Sequence, residues 1–258
     1  ADLQGLDLRS AELANVEARS CNLSKTDLGG ANLSGAVLDD AHGGDAKLTE
    51  ADLTRATAAG ANFTRAKFDG ALMPNLQARG ARFREASLER ASCDGANFEN
   101  ADLTDAEMTE SVCKGAKFIG ASLRGACLDK ADFSDAALEG TSLLRATAKH
   151  AKFDRAVLRD ADLTRIIAGD ATFEAAELGG ATLPRARLPH ANRKGTDLWR
   201  PTLHRATPAG ARPARAPSPI PPTLPTPPPP NPPAPRSRHP ALGPCVSRLL
   251  PLSVARAV

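Results

Sequence analysis

A five-residue period runs from Ala1 to Arg200 without slipping by a single residue. Neither regular backbone element has that period, since helices repeat every 3.6 residues and strands every two. Of the forty positions numbered 3, 8, 13 and onward to 198, twenty-one are Leu, eight Phe, two Met and two Cys. Five more are Ala, and the exceptions are Gly43 and Arg193. Two residues earlier, at 1, 6, 11 and onward to 196, Ala fills 31 of forty positions. All eight Phe and both Met of the protein fall in the first register. Such a chain points two of every five side chains inward and then turns a corner. The remaining three positions are rich in Asp, Asn, Ser, Thr, Lys and Arg. Of the 18 Gly in residues 1–200, 13 sit two places after the Leu/Phe position, where a corner needs permissive dihedrals. With no Tyr in the chain and one Trp, the interior is narrow and lined by small or aliphatic groups.

The pattern Ala-Asp/Asn-Leu/Phe-X-X, seen in Ala51-Asp52-Leu53, Ala61-Asn62-Phe63 and Ala131-Asp132-Phe133, resembles the pentapeptide-repeat family. The resemblance spans about three-quarters of the chain. It implies an all-β fold, a right-handed quadrilateral parallel β-helix with 20 residues per coil, hence about ten coils over residues 1–200. At the spacing of paired strands the rod is roughly 48 Å long. A 20-residue coil stacks Phe63 on Phe83, Phe98 on Phe118, and Phe133, Phe153 and Phe173 on one another, giving a core ladder of rings. Ala58 and Ala78 pair likewise, as do Ala148 and Ala168. Three Ala centres are preceded two places earlier by an enlarged residue (Val16–Ala18, Leu76–Ala78, Ile166–Ala168), a swap that conserves filled volume.

The net charge of +3 conceals two unlike segments: residues 1–200 carry 26 Lys+Arg and 30 Asp+Glu, whereas residues 201–258 carry seven Arg and no acid. Three Pro lie in the first 200 residues and eighteen in the last 58. Residues 201–216 keep Ala206, Ala211 and Ala216 in register but place Pro208 and Pro213 at centres, where no ladder bond can be donated; these read as fading repeats. Residues 217–258 read as a disordered Pro/Arg-rich tail, with Pro217–Pro235 of polyproline or linker character. A solvated tail, a basic arm, a ligand for proline-binding domains and an out-of-frame translation are the readings for it. Repeats that start at Ala1 without a cover for the open coil lead us to expect a preceding domain in a larger protein. Five scattered Cys argue against a disulfide framework and for a reducing, cytoplasmic setting. No run of 18 apolar residues is present, so no membrane partner is expected.

The sequence carries no phosphate loop, no nucleophile elbow and no close Cys/His cluster. The many Asp are a repeat element, and a straight rod offers no deep concavity, so a non-enzymatic role without cofactors is expected. Three columns at 20-residue spacing stand out. Arg145, Arg165 and Arg185, extended by Arg205 if the helix continues, stack like charges along one corner, so they are the candidate partner-binding residues for an acidic partner. The plainer account is that they splay into water and pair with Asp160 and Asp162. Glu110, Lys130, His150, Asp170 and His190 read as an exposed ion ladder, the loose His150–Asp170–His190 set being a weak metal site. Cys93 and Cys113 stack inside, as small hydrophobes, and Trp199 sits beside the last good centre.

The family's best-known activity, implied by the resemblance alone, is protection of DNA gyrase from quinolones or toxins by rods that mimic B-form DNA. Such mimicry requires a dense negative surface. The repeat region's charge is near neutral, and even residues 1–60 have ten acids against five bases. Projecting loops and a dimerising C-terminal helix also have no counterpart. The leading expectation is therefore a structural interaction module, a rigid rod whose flat faces bind protein, with Ile119, Leu144, Val157 and Ile167 as exposed apolar contributors. Gyrase mimicry is the alternative. Nucleic-acid binding ranks third, for want of interleaved aromatics and a basic rod.

Overall fold

The computed structural model describes residues 1–196, which wind into just under ten coils of four sides each. Coil length follows from the pairing: Asp2 bridges Asn22 in parallel, Asp7 bridges Asp27, and the same offset of 20 continues to Thr172 and Asn192. Each side contributes a single bridging residue before the chain turns. The sides are therefore too short to be continuous strands, a finer division than the β-ladder expected from the sequence.

The corner dictates the period. Repeat after repeat, with Ala171 the exception, the amide two places before the next centre closes on the previous centre's carbonyl, as Leu6 does on Leu3 at 3.2 Å. The preceding residue has positive φ, and this holds at every fifth position from Gly5 to Gly195, with φ between 51° and 74°. Positive φ at the third residue of a four-residue turn is the type II geometry. Gly supplies 13 of these corners and other residues 26. The sequence expectation that corners favour Gly is thus met at a third of them, and elsewhere, Ala175 excepted, polar residues hold the left-handed conformation, which Asn and Asp tolerate best.

Three further amides per repeat bond between coils. Leu3 donates to Asn22 (2.8 Å), Gly5 donates to Ser24 (3.0 Å), and Asn22 donates back to Ala1 (3.0 Å). The fifth amide, just after the centre, has no backbone acceptor in this pattern. The Asp or Asn before the centre takes it: Asp52 Oδ1 accepts from Thr54 (2.8 Å), Asn62 from Thr64 (3.1 Å), Asp102 from Thr104 (3.0 Å) and Asp162 from Thr164 (2.9 Å). Elsewhere an Asp one coil below does so, as Asp154 does for Glu174 (2.8 Å). Pro74, Pro184 and Pro189 occupy this same position. A residue without an amide loses nothing there, and its fixed φ suits the second position of a type II turn.

The interior is a filled column. The inward positions are buried without a break from Cys21 to Leu188, and Gly43 among them is the one that brings no side chain. Gly43 is explained one coil up, because a Cβ there would lie 2.5 Å from the Phe63 ring. Phe63, Phe83, Phe98, Phe118, Phe133, Phe153 and Phe173 are all buried, and Phe68 joins them. Rings at 20-residue spacing are stacked, with centroids 5.5 Å apart for Phe63–Phe83, 5.0 Å for Phe98–Phe118, 5.3 Å for Phe133–Phe153 and 4.9 Å for Phe153–Phe173. Edge contacts Phe83–Phe98 and Phe118–Phe133 link these stacks into one chain of rings. Thr26, Ser111 and Thr141 replace Ala inside, and each hydroxyl donates to a centre carbonyl: Leu3 (2.7 Å), Met108 (2.8 Å) and Phe118 (2.6 Å). Buried hydroxyls so satisfied carry no desolvation penalty. The fading repeats of 201–216, the tail of 217–258, Trp199 and Arg205 lie outside the described residues.

Candidate functional site

With the interior filled, the outward columns are the surface open to recognition. Part of their charge is paired between coils. Arg65 grips Asp45 through Nε (2.8 Å) and Nη2 (2.9 Å), and Arg155 grips Asp135 in the same two-pronged way at 2.7 and 2.6 Å. Lys130 reaches Glu110 (2.8 Å), Lys47 reaches Asp27 (3.2 Å) and Arg19 reaches Asp39 (2.6 Å). The guanidinium beside Asp45, the guanidinium beside Asp135 and the ammonium beside Glu110 hold those carboxyls below the usual range. Asp132 is more enclosed. Its burial pushes the carboxyl up, but the Ser134 hydroxyl and amide, with Lys114 and Lys152 nearby, bring it below the usual value.

The structure brings Arg145, Arg165 and Arg185 onto one corner, with φ of 64°, 60° and 59°. The Arg145 amide donates to the Thr164 carbonyl (3.0 Å) and the Arg165 amide to the Pro184 carbonyl (2.9 Å), which fixes the three in register. All three side chains are exposed. The expected pairing with Asp160 and Asp162 is not formed. Asp162 instead accepts from the Thr164 amide and the Thr182 hydroxyl (3.1 Å), and Asp160 leans over Gly180. Among the described residues, none of the three Arg makes an ion pair.

The other columns separate. Lys130 and Glu110 pair, but His150, Asp170 and His190 radiate from an exposed corner, and no group of three such residues among the described ones could hold a metal ion. Cys93 and Cys113 are buried free thiols, Cys21 is buried and Cys127 is half-buried. A hydrogen bond with the Cys113 thiol, together with burial, pushes the Cys93 thiol well up, which disfavours the thiolate that a nucleophile needs. Of the expected apolar contributors only Ile119 is exposed, while Leu144, Val157 and Ile167 are half-buried, since neighbours one coil above and below cover their flanks. Leu72, which the sequence reading passed over, is 49% exposed. No helix among the described residues is long and apolar enough to cross a membrane.

The family model for pentapeptide repeats matches eight copies, over residues 1–41, 44–75, 75–105, 96–135 and 131–167. The chain belongs to the pentapeptide-repeat family. Among solved structures of this family, the chain is similar to HetL, a pentapeptide-repeat protein involved in heterocyst differentiation regulation from the cyanobacterium Nostoc sp. strain PCC 7120. The two are 27% identical with a TM-score of 0.64, covering 80% of this chain and 90% of HetL. Trypsin-treated QnrB1, a plasmid-mediated fluoroquinolone resistance protein, is 20% identical with a TM-score of 0.53, covering 61% of this chain and 86% of that one. The likeness implies the right-handed β-helix expected of pentapeptide repeats. Among curated proteins none matches the chain.

Proposed function

We propose that this pentapeptide-repeat rod is a non-catalytic scaffold that binds other proteins along its sides, in a reducing, cytoplasmic setting. The observation that carries the reading is the filled interior: from Cys21 to Leu188 the inward positions are closed by side chains stacked coil on coil, so the recognition surface is the set of outward columns. Rigid columns of paired backbone cost little ordering on binding, which favours the display of a fixed surface. HetL, a rod of similar extent tied to regulation, supports a role without chemistry of its own. The free thiols fit a reducing compartment.

A second reading, a DNA mimic that binds gyrase, draws on ten acids against five bases in residues 1–60 and on the QnrB1 fold. Against it, many of the carboxylates a mimic would display are neutralised within the rod, Asp27, Asp39, Asp45 and Glu110 among them. The test is a gyrase supercoiling assay with a fluoroquinolone, run with and without the chain. We expect drug inhibition to be the same in both; restored supercoiling in the presence of the chain would replace the scaffold reading by the second one.

A further inference from the structure

We infer that the corner bearing Arg145, Arg165 and Arg185 is a docking edge for an acidic α-helix of a partner protein, an inference that rests on the scaffold reading above. The first support is how charge is distributed round the upper coils. Numbering each coil from 1 to 20, the ion pairs from residue 110 upward all lie on positions 10 to 19: Lys130–Glu110, Asp132 with Lys114 and Lys152, Arg155–Asp135, Arg159 with Glu139 and Glu177, and Lys194–Glu174. On positions 4 to 9 of the same coils stand six cations, Arg124, Arg145, Lys149, Arg165, Arg185 and Arg187, against the single acid Asp129, and among the described residues none of the six makes an ion pair. On the first side the cations are paired from within, Lys117 and Arg193 excepted, and the corner at positions 4 to 9 is left cationic.

The second support is the contrast along that corner itself. Lower down it reads Lys25, Asp45, Arg65, Glu85 and Asp105, charges of both signs that include the two-pronged Arg65–Asp45 pair. Above Gly125 it reads Arg three times, the only run of three like charges one coil apart among the described residues. Like charges stacked at this spacing are unfavourable alone, and an opposing row of carboxylates relieves them. All three are Arg, whose planar fork matches a carboxylate two-prong to two-prong.

Geometry selects the occupant. Three corners one coil apart span two ladder spacings, roughly 10 Å. On an α-helix, acidic residues at i, i+3 or i+4, and i+7 line one face over about 10.5 Å. A helix lying along the rod axis therefore presents three carboxylates at nearly the pitch of the three guanidinium groups. A nucleic acid fits less well: all the Phe side chains are buried, leaving the described residues no aromatic platform for bases, and the far side of the rod carries the acids.

The test uses the full chain and fluorescence anisotropy with a labelled helical peptide carrying Glu at i, i+4 and i+7 spacing, and a single-stranded DNA oligonucleotide of equal charge. The triple variant Arg145→Gln, Arg165→Gln, Arg185→Gln is compared with a control triple of the same charge change on the opposite side, Arg79→Gln, Arg155→Gln, Arg159→Gln. We expect peptide affinity to fall about tenfold or more in the first triple and to hold in the control, with binding weakened by salt, since exposed charges are screened over about 8 Å at physiological ionic strength. Equal loss in both triples, no peptide binding, or tighter binding of the oligonucleotide overturns the docking edge. Cross-linking of the unaltered chain to partners through positions 10 to 19 alone would sink this inference while sparing the scaffold reading; failure of the latter is read separately, in the gyrase assay.

Discussion

At single residues, the corner explains a pairing that the sequence hides. Six corners hold Asn or Asp and are followed one coil later by Gly: Asn15/Gly35, Asp40/Gly60, Asn75/Gly95, Asn100/Gly120, Asp105/Gly125 and Asp160/Gly180. In each, a Cβ on the Gly would overlap the side-chain oxygen below. Where Arg follows Asp instead, at Asp45/Arg65 and Asp135/Arg155, the carboxylate swings out to the guanidinium. Gly140, by contrast, has nothing within 4 Å of its would-be Cβ, so Gly140→Ala and Gly180→Ala separate two effects. Both lose the ease of positive φ, about 1 kcal/mol. We expect Gly180→Ala to cost about 1 kcal/mol more, through the off-rotamer shift forced on Asp160, and Asp160→Ala to erase the difference; urea midpoints of the two Gly variants, each with and without Asp160→Ala, measure it, and equal costs for the two Gly variants would refute the carboxylate's role. The five-residue period made corners legible because it recurs locally. The partner of each corner lies 20 residues away, so its identity appears only once coil length is fixed.

The repeat as an element shows why Asp and Asn precede the centre so often. The sequence reading takes them as a repeat feature with no acid–base role, and the structure supplies the physical cause: they accept the one amide that the ladder leaves over. That need could not be seen before the turn type was known, since it depends on which of five amides points away from every carbonyl. Asp132 is the most burdened example, accepting from the Ser134 amide (3.0 Å) and hydroxyl (2.6 Å) with Lys114 at 3.6 Å and Lys152 at 3.8 Å. Its carboxyl titrates below the unfolded value of about 4. A depressed value means that its stabilisation is complete above the unfolded pKa and is lost as pH falls through the folded one. Unfolding midpoints measured from pH 7 down to pH 3 should therefore drop below about pH 4, and drop less steeply in Asp132→Asn, which keeps the amide acceptor but not the charge. An identical slope in the variant would show that the acid sensitivity arises elsewhere.

On the scale of the molecule, stability passes from coil to coil, since each touches only its neighbours. The ring chain makes this continuity concrete, and Phe153 is the link stacked on both sides, 5.3 Å from Phe133 and 4.9 Å from Phe173. Truncation as Phe153→Ala removes a fully buried ring from a column with no slack. The expected cost is about 3–5 kcal/mol, measured by chemical denaturation; a loss under about 1 kcal/mol would contradict the packing described. The stacking of rings at 20-residue spacing was readable from the sequence, because Phe recurs at that interval. The segregation of ion pairs to one side of the coils above residue 110 was not, because it depends on side chains reaching across 18 or 20 residues to partners chosen by geometry, as Arg159 does to Glu139 and Glu177.

Two clocks run in this chain. Inside and outside are told apart every five residues, whereas a place on the circumference recurs only every twenty. Excising one pentapeptide would leave every inward side chain facing inward and yet carry everything beyond the cut a quarter turn round the axis. The Arg row would then sit on a different flank from the residues below it, on a rod almost unaltered in cross-section. Lengthening by a full turn of twenty would instead keep each column straight and extend it. Pentapeptide steps thus reshuffle what a rod of this kind displays, and twenty-residue steps stretch what it already displays, so the same architecture admits two separable kinds of change.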